Sequence, residues 1–105
     1  MCYHPRMQLY SLPDITPNAA VVNLGTAATS AGTPTRAVWV NMTASGSSVR
    51  FGDAAIGANR GQALPTGIPF LSCPRGANDQ TPYDLSKINV YAGAGADKVS
   101  ITYGY

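Results

Sequence analysis

The chain has 105 residues and a mass of 10.9 kDa, which leaves room for one hydrophobic core and none for a separate catalytic domain. Only 11% of the residues are charged, with five Asp, two Lys and no Glu, so the side chains that coat exposed helices are missing and long helices are excluded. The seven cations are scattered with no two adjacent, unlike the clustered footprint of a nucleic-acid binder, and no apolar run approaches the roughly 18 residues of a membrane-spanning helix.

Residues 1–18 carry Pro5, Pro13 and Pro17 and no sustained periodicity. Proline fixes φ and removes a backbone donor, so this stretch reads as an extended N-terminal arm preceding a single β-domain over residues 19–105. Its apolar side chains, Tyr3, Met7, Leu9, Tyr10, Leu12 and Ile15, are too many for a solvated tail, which makes them the candidate partner-binding residues. Residues 1–14 lack a signal peptide's apolar run, so synthesis and folding in a cytoplasm are expected. Cys2 belongs to the arm and Cys73 to a short strand, so both are expected as unpaired thiols.

Downstream, short β-like runs alternate with turn chemistry. Residues 20–24 form a first run ending at Gly25, and the Ala/Thr/Ser/Gly-rich stretch 26–34 reads as a loop. Residues 35–43 make the clearest strand, with Val38, Val40 and Met42 on one face and Trp39 and Asn41 on the other. A Ser/Gly loop at 45–48 and the alternating Val49 and Phe51 then predict a two-strand meander. Glycines and prolines allow only short strands at 61–64 and 68–73. Residues 74–82 read as a second loop, followed by one turn at 83–86. Residues 87–91 and 98–103 alternate cleanly across a small-residue connection and predict a C-terminal hairpin. The fold class predicted is all-β, a small antiparallel β-sandwich or jelly-roll-like barrel. Its core is expected to include Val38, Val40, Val49, Phe51, Ile88, Val90, Val99 and Ile101.

Candidates for chemistry are few. His4, the one histidine, sits beside Pro5 in the arm, whereas a catalytic base needs a rigid position within reach of its nucleophile. Cys2 and His4 fall short of the four ligands of a structural zinc site. Asp53 and Asp97 occupy turn positions where a carboxylate bonds nearby backbone, and the Gly93–Gly95 stretch lacks the Lys-Ser/Thr pair of a phosphate loop. No catalytic, cofactor or metal residue is assigned. Trp39, Tyr83, Tyr91, Tyr103 and Tyr105 fit either core and interface aromatics or a sugar-stacking surface.

The stretch Tyr83-Asp84-Leu85-Ser86-Lys87-Ile88-Asn89-Val90-Tyr91, followed by Val99-Ser100-Ile101-Thr102-Tyr103-Gly104, resembles the ending of small virion proteins of tailed bacteriophages. Val49-Arg50-Phe51-Gly52-Asp53 and residues 61–69 resemble the same group, and the likeness covers residues 36–105. It implies a decoration or cement protein that binds the major capsid protein on the capsid surface of a virion assembled in the host cytoplasm. The implied partners are that lattice and sister copies, as a homo-oligomer and most simply a trimer, with no nucleic acid and no membrane. A receptor- or glycan-binding knob using Trp39 is the alternative, and a small hydrolase relying on His4 or an Asp is a third reading.

Overall fold

A computed structural model describes residues 8–73 and 81–105. The fold is all-β, with one short α-helix among the described residues. Its strands are β1 (Leu9–Ser11), β2 (Val22–Asn23), β3 (Arg36–Ala37), β4 (Trp39–Ala44), β5 (Val49–Gly52), β6 (Gln62–Ala63), β7 (Phe70–Ser72), β8 (Tyr83–Asp84), β9 (Asn89–Ala92) and β10 (Val99–Gly104). A four-stranded sheet in the order β1-β10-β4-β7 faces a second in the order β2-β9-β5-β6, and β3 pairs with β8 beside them. All these pairings are antiparallel. Val40, Met42, Val99, Ile101 and Tyr103 of the first sheet meet Val49, Val90 and Ala92 of the second in one buried cluster. That is the two-layer solution a half-apolar sheet requires.

Of the eight core residues expected from alternation, seven are buried and Phe51 is half-buried, packed on Phe70 with ring centroids 5.1 Å apart. The two expected hairpins are corrected. β4 runs into β5 and β9 into β10 through connections that cross from one sheet to the other, so neither pair shares hydrogen bonds. Instead β4 pairs with β10 and β5 with β9, closing a circuit in which chain connection and hydrogen bonding alternate.

Both arches leave their sheets at the same level, with Ala44 opposite Val99 and Val49 opposite Ala92, and they fasten to each other. The Ser48 N–H and hydroxyl donate to Asp97 Oδ2 at 3.1 and 2.6 Å. Ser48 Oγ accepts from Ala94 N at 3.0 Å, and Ser45 and Lys98 exchange two further bonds. Gly46 is required here because a Cβ would overlap the Asp97 carboxylate.

Those donors hold the Asp97 carboxyl below its ordinary value, with the Ser48 hydroxyl the larger cause and its N–H the next. Asp84 is likewise lowered, first by the Ser86 N–H. A folded pKa below the unfolded value of about 3.9 gives stability that is fully present above pH 4 and is lost as pH falls through the folded value. The urea midpoint is therefore expected to fall between pH 5 and pH 2, and to fall less in Asp97→Asn. Equal acid sensitivity of the two proteins would show that the latch does not titrate with folding.

The stretch 26–34, expected as a loop, contains helix α1 (Leu24–Ala31). Asn23 caps its first turn by accepting from Thr26 N at 3.1 Å, and Gly32, at φ 73°, ends it in the left-handed conformation. Leu24 and Ala28, one turn apart, lie against the core. A 3-10 turn at Leu85–Lys87 packs beside α1.

Gly25 sits where the two meet, and a Cβ there would lie 2.9 Å from the Ser86 backbone N and Cα. Gly→Ala inside a helix ordinarily stabilises by roughly 0.5–1 kcal/mol. At Gly25 the sign is expected to reverse, with a loss of about 1–3 kcal/mol in urea unfolding, because the obstructing atoms are backbone. The exposed Ser30→Ala should stay within about 0.5 kcal/mol of the original. A stabilised Gly25→Ala would refute the packing argument.

The arm boundary at residue 18 also changes. Leu9–Ser11 is the edge strand of the first sheet, and the Leu12 and Ile15 N–H groups donate to the carbonyls of Ile101 and Val99, each at 3.0 Å. Leu12 and Ile15 are core residues. This segment is thus part of the sandwich, because the β10 edge and the apolar space beneath it lie within its reach. Cys73 is disulfide-bonded, which corrects its expectation as a free thiol, while Cys2 lies outside the described residues.

Candidate docking surface

The six expected partner-binding residues separate. Tyr3 and Met7 lie outside the described residues. Leu12 and Ile15 fill the core, and Tyr10 is half-buried, stacked on Tyr103 at 5.7 Å between centroids and 28° between planes. Of the four that are described, Leu9, 63% exposed, is the one left available to a partner.

Strand alternation and register define the surface to which Leu9 belongs. Tyr10 opposes the buried Tyr103, so Leu9, Ser11, Gly104 and Thr102 turn outward. On β4 the buried set is Val40, Met42 and Ala44, leaving Trp39, Asn41 and Thr43 outward. Leu71 of β7, opposite Asn41, joins them and is 41% exposed. Leu9, Gly104 and Trp39 form one cross-strand row, and Ser11, Thr102, Asn41 and Leu71 form the next.

No side chain in these rows is charged. Beyond them, Asp14 accepts from the Ser100 hydroxyl at 3.1 Å. In the centre, Asn41 Oδ1 is buried with no hydrogen-bond partner, an expense that native sheets seldom carry. Alternation on 35–43 did reveal Trp39 and Asn41. The short strand expected at 68–73 does carry Leu71, but its place on this face was missed, because a strand this short shows no alternation to assign its sides.

The outer side of the second sheet differs in chemistry. Arg50 stands opposite Tyr91 and donates to the Gly61 carbonyl at 2.8 Å. Asn89 is buried, accepts from Asn23 Nδ2 at 3.0 Å and donates to the Gly52 carbonyl at 3.4 Å.

The aromatics considered for sugar stacking do not share a platform. Tyr103 is fully buried, Tyr83 packs against the core, and Trp39 and Tyr91 lie on the outer sides of different sheets.

Two recesses lie among the described residues. One of about 360 Å³ lies against the first turn of α1, lined by Asn23, Thr26, Thr29, Thr35, Asp84 and Ser86. Its polar groups serve the fold: Asn23 caps α1 and also donates to the Ser86 carbonyl at 2.7 Å, Asp84 accepts from Ser86 N at 2.9 Å, and Thr29 donates to the Gly25 carbonyl. The other, about 400 Å³, is bordered by Phe51, Ile56, Gln62 and the exposed pair Asp53–Arg60 at 3.9 Å. Asp53 accepts from Ala55 N two residues on, the turn role expected of it. His4 lies outside the described residues, and among those described no three His, Cys, Asp or Glu gather as metal ligands.

The chain matches no protein-family model, no curated protein and no solved structure. Its class is set by the fold and this surface alone: a small β-sandwich with an uncharged outer sheet face.

Proposed function

We propose that the chain is a structural accessory protein of a virion, of the decoration or cement kind, and that it sits on the major capsid protein lattice by the outer face of the first sheet. The observation that carries this reading is the uncharged face itself, with exposed Leu9 and Leu71 on the strands flanking its centre and half-buried Trp39 between them. A surface without charge associates with little desolvation cost, and depletion of charge is what marks the centre of protein interfaces. The Cys73 disulfide adds support, since disulfides persist in oxidising settings that include virion surfaces. The protein assembles there as a homo-oligomer, most simply a trimer, and its role needs no catalytic residue.

Cosedimentation with shells assembled from the major capsid protein tests the reading. Leu71→Glu should weaken binding at least tenfold, since it sets a charge in the interface centre, about 1.4 kcal/mol or more. Val21→Glu, at an exposed position beside the second sheet, should bind as the original does. Unchanged binding of Leu71→Glu would remove this face from the interaction. Failure of the original protein to sediment with the shells would remove the decoration role.

A further inference from the structure

We infer that copies of this chain associate by exchanging the segment 8–17, each copy's β1 pairing with the β10 of a neighbour. The inference rests on the homo-oligomer proposed above and supplies its mechanism. Four observations converge on it.

The segment is an edge strand held by a single neighbour, so its removal leaves the rest of the first sheet hydrogen-bonded. It also carries two core side chains, Leu12 and Ile15, together with the bond between Asp14 and Ser100. A copy that releases it opens a slot in its own core that matches this sequence and no unrelated one. The occupant of that slot is therefore the same segment of a second copy.

The link to the rest of the chain is strained where it bends. Asn18 and Ala19, consecutive and neither of them glycine, have φ of 52° and 59°. Asn tolerates the left-handed region, but Ala pays for it through its Cβ. The bend is held by Ala19 N donating to the Ala92 carbonyl at 2.7 Å and by Ala20 N donating to the Pro17 carbonyl at 3.2 Å. Straightening residues 18 and 19 relieves the strain, and short strained hinges favour exchange. Pro13 and Pro17 stiffen the segment, which lowers the entropy lost when it is received by a neighbour.

Cys73 is disulfide-bonded and the sequence has one other cysteine, upstream of this segment, so exchange takes place on the reduced chain, before that bond closes. In the exchanged oligomer every contact of the segment is then remade between chains, so the cost is confined to association and the gain is release of the hinge. Exchange in a closed ring fits a trimer and a reciprocal pair fits a dimer.

The register provides the test. Ser11 opposes Thr102 in a pair that does not exchange backbone bonds, with the hydroxyls 3.5 Å apart, a geometry in which two cysteines can bridge. The full-length double variant Ser11→Cys/Thr102→Cys is refolded, oxidised and run on a denaturing, non-reducing gel, with the new bridge located by peptide mass mapping. Its size in solution is measured by sedimentation equilibrium at tens of micromolar.

Chains joined to each other by this bridge are the expected result. Ala19→Gly, which frees the hinge of strain, should shift the equilibrium about tenfold toward monomer. An oligomer in which the bridge closes within single chains overturns exchange and leaves association standing. A monomer at these concentrations overturns both. Ile15→Cys/Val99→Cys, a buried pair whose backbones bond in both directions at 3.0 and 2.8 Å, gives the same readout should the first variant not fold.

Discussion

Replacing Leu12 and Ile15 together by Ala is expected to unfold most of the protein at room temperature. Each side chain is at least nine-tenths buried and belongs to the cluster between the sheets. Truncating a buried Leu or Ile costs about 2–5 kcal/mol, and a domain of this size has in total about 5–15 kcal/mol. The pair also anchors β1 to β10, so the backbone bonds from Leu12 to Ile101 and between Ile15 and Val99 weaken with it. Deleting residues 1–18 should act in the same direction and further, since it strips the edge strand and uncovers Tyr103. Far-UV circular dichroism and urea titration of the double variant decide the matter. A cooperative transition within about 1 kcal/mol of the original would mean that the segment is a dispensable appendage, and the exchange mechanism would fall with it.

Tyr103 is the other position at which a large effect is expected. It is the largest fully buried side chain, stacked under Tyr10 on the inner side of the first sheet. Its hydroxyl donates to the Pro34 carbonyl at 2.6 Å and lies 2.7 Å from Thr33 Oγ1, so it ties β10 to the chain that leaves α1. Burial raises its pKa, which keeps the hydroxyl a donor across the ordinary pH range.

Tyr103→Phe keeps the ring but leaves that carbonyl without its donor, at a cost of about 1–3 kcal/mol. Tyr103→Ala also removes the ring and should cost about 3–5 kcal/mol. Measured in urea, the difference between the two variants separates the polar tether from the packing. A Phe variant as stable as the original would show that water satisfies the Pro34 carbonyl, and the tether would lose its assigned role.

The sequence by itself determined the fold class, and the reason is local. With no Glu, few Lys and repeated period-two alternation, residues such as Val38, Val40, Met42, Val90, Val99 and Ile101 had one apolar face to bury, and a strand of a half-buried sheet is what that pattern builds. Helix α1 was legible too, in the Asn23 cap and the Gly32 stop with eight residues between them, among them Leu24, the pair Ala27-Ala28 and Ala31. Reading the stretch by its small-residue composition alone obscured it.

Only the tertiary structure decided which strands are neighbours. Alternation states which side of a strand is apolar, and an apolar side looks the same whether the next strand lies beside it in the same sheet or across the core in the other. That is why 39–52 and 89–104 read as hairpins and fold as arches. The fastening that selects the arches, Asp97 on Ser48, joins residues 49 positions apart and has no signature in either segment.

The fate of the N-terminal segment was decided in the same way. Its prolines and lack of periodicity described an extended chain correctly, but whether an extended chain lies free or completes a sheet depends on an open edge with apolar space beside it. The β10 edge, formed by the far end of the sequence, supplies both. The docking face is likewise a product of register, since Leu9, Trp39, Leu71 and Thr102 come from four strands and become one surface only when those strands align.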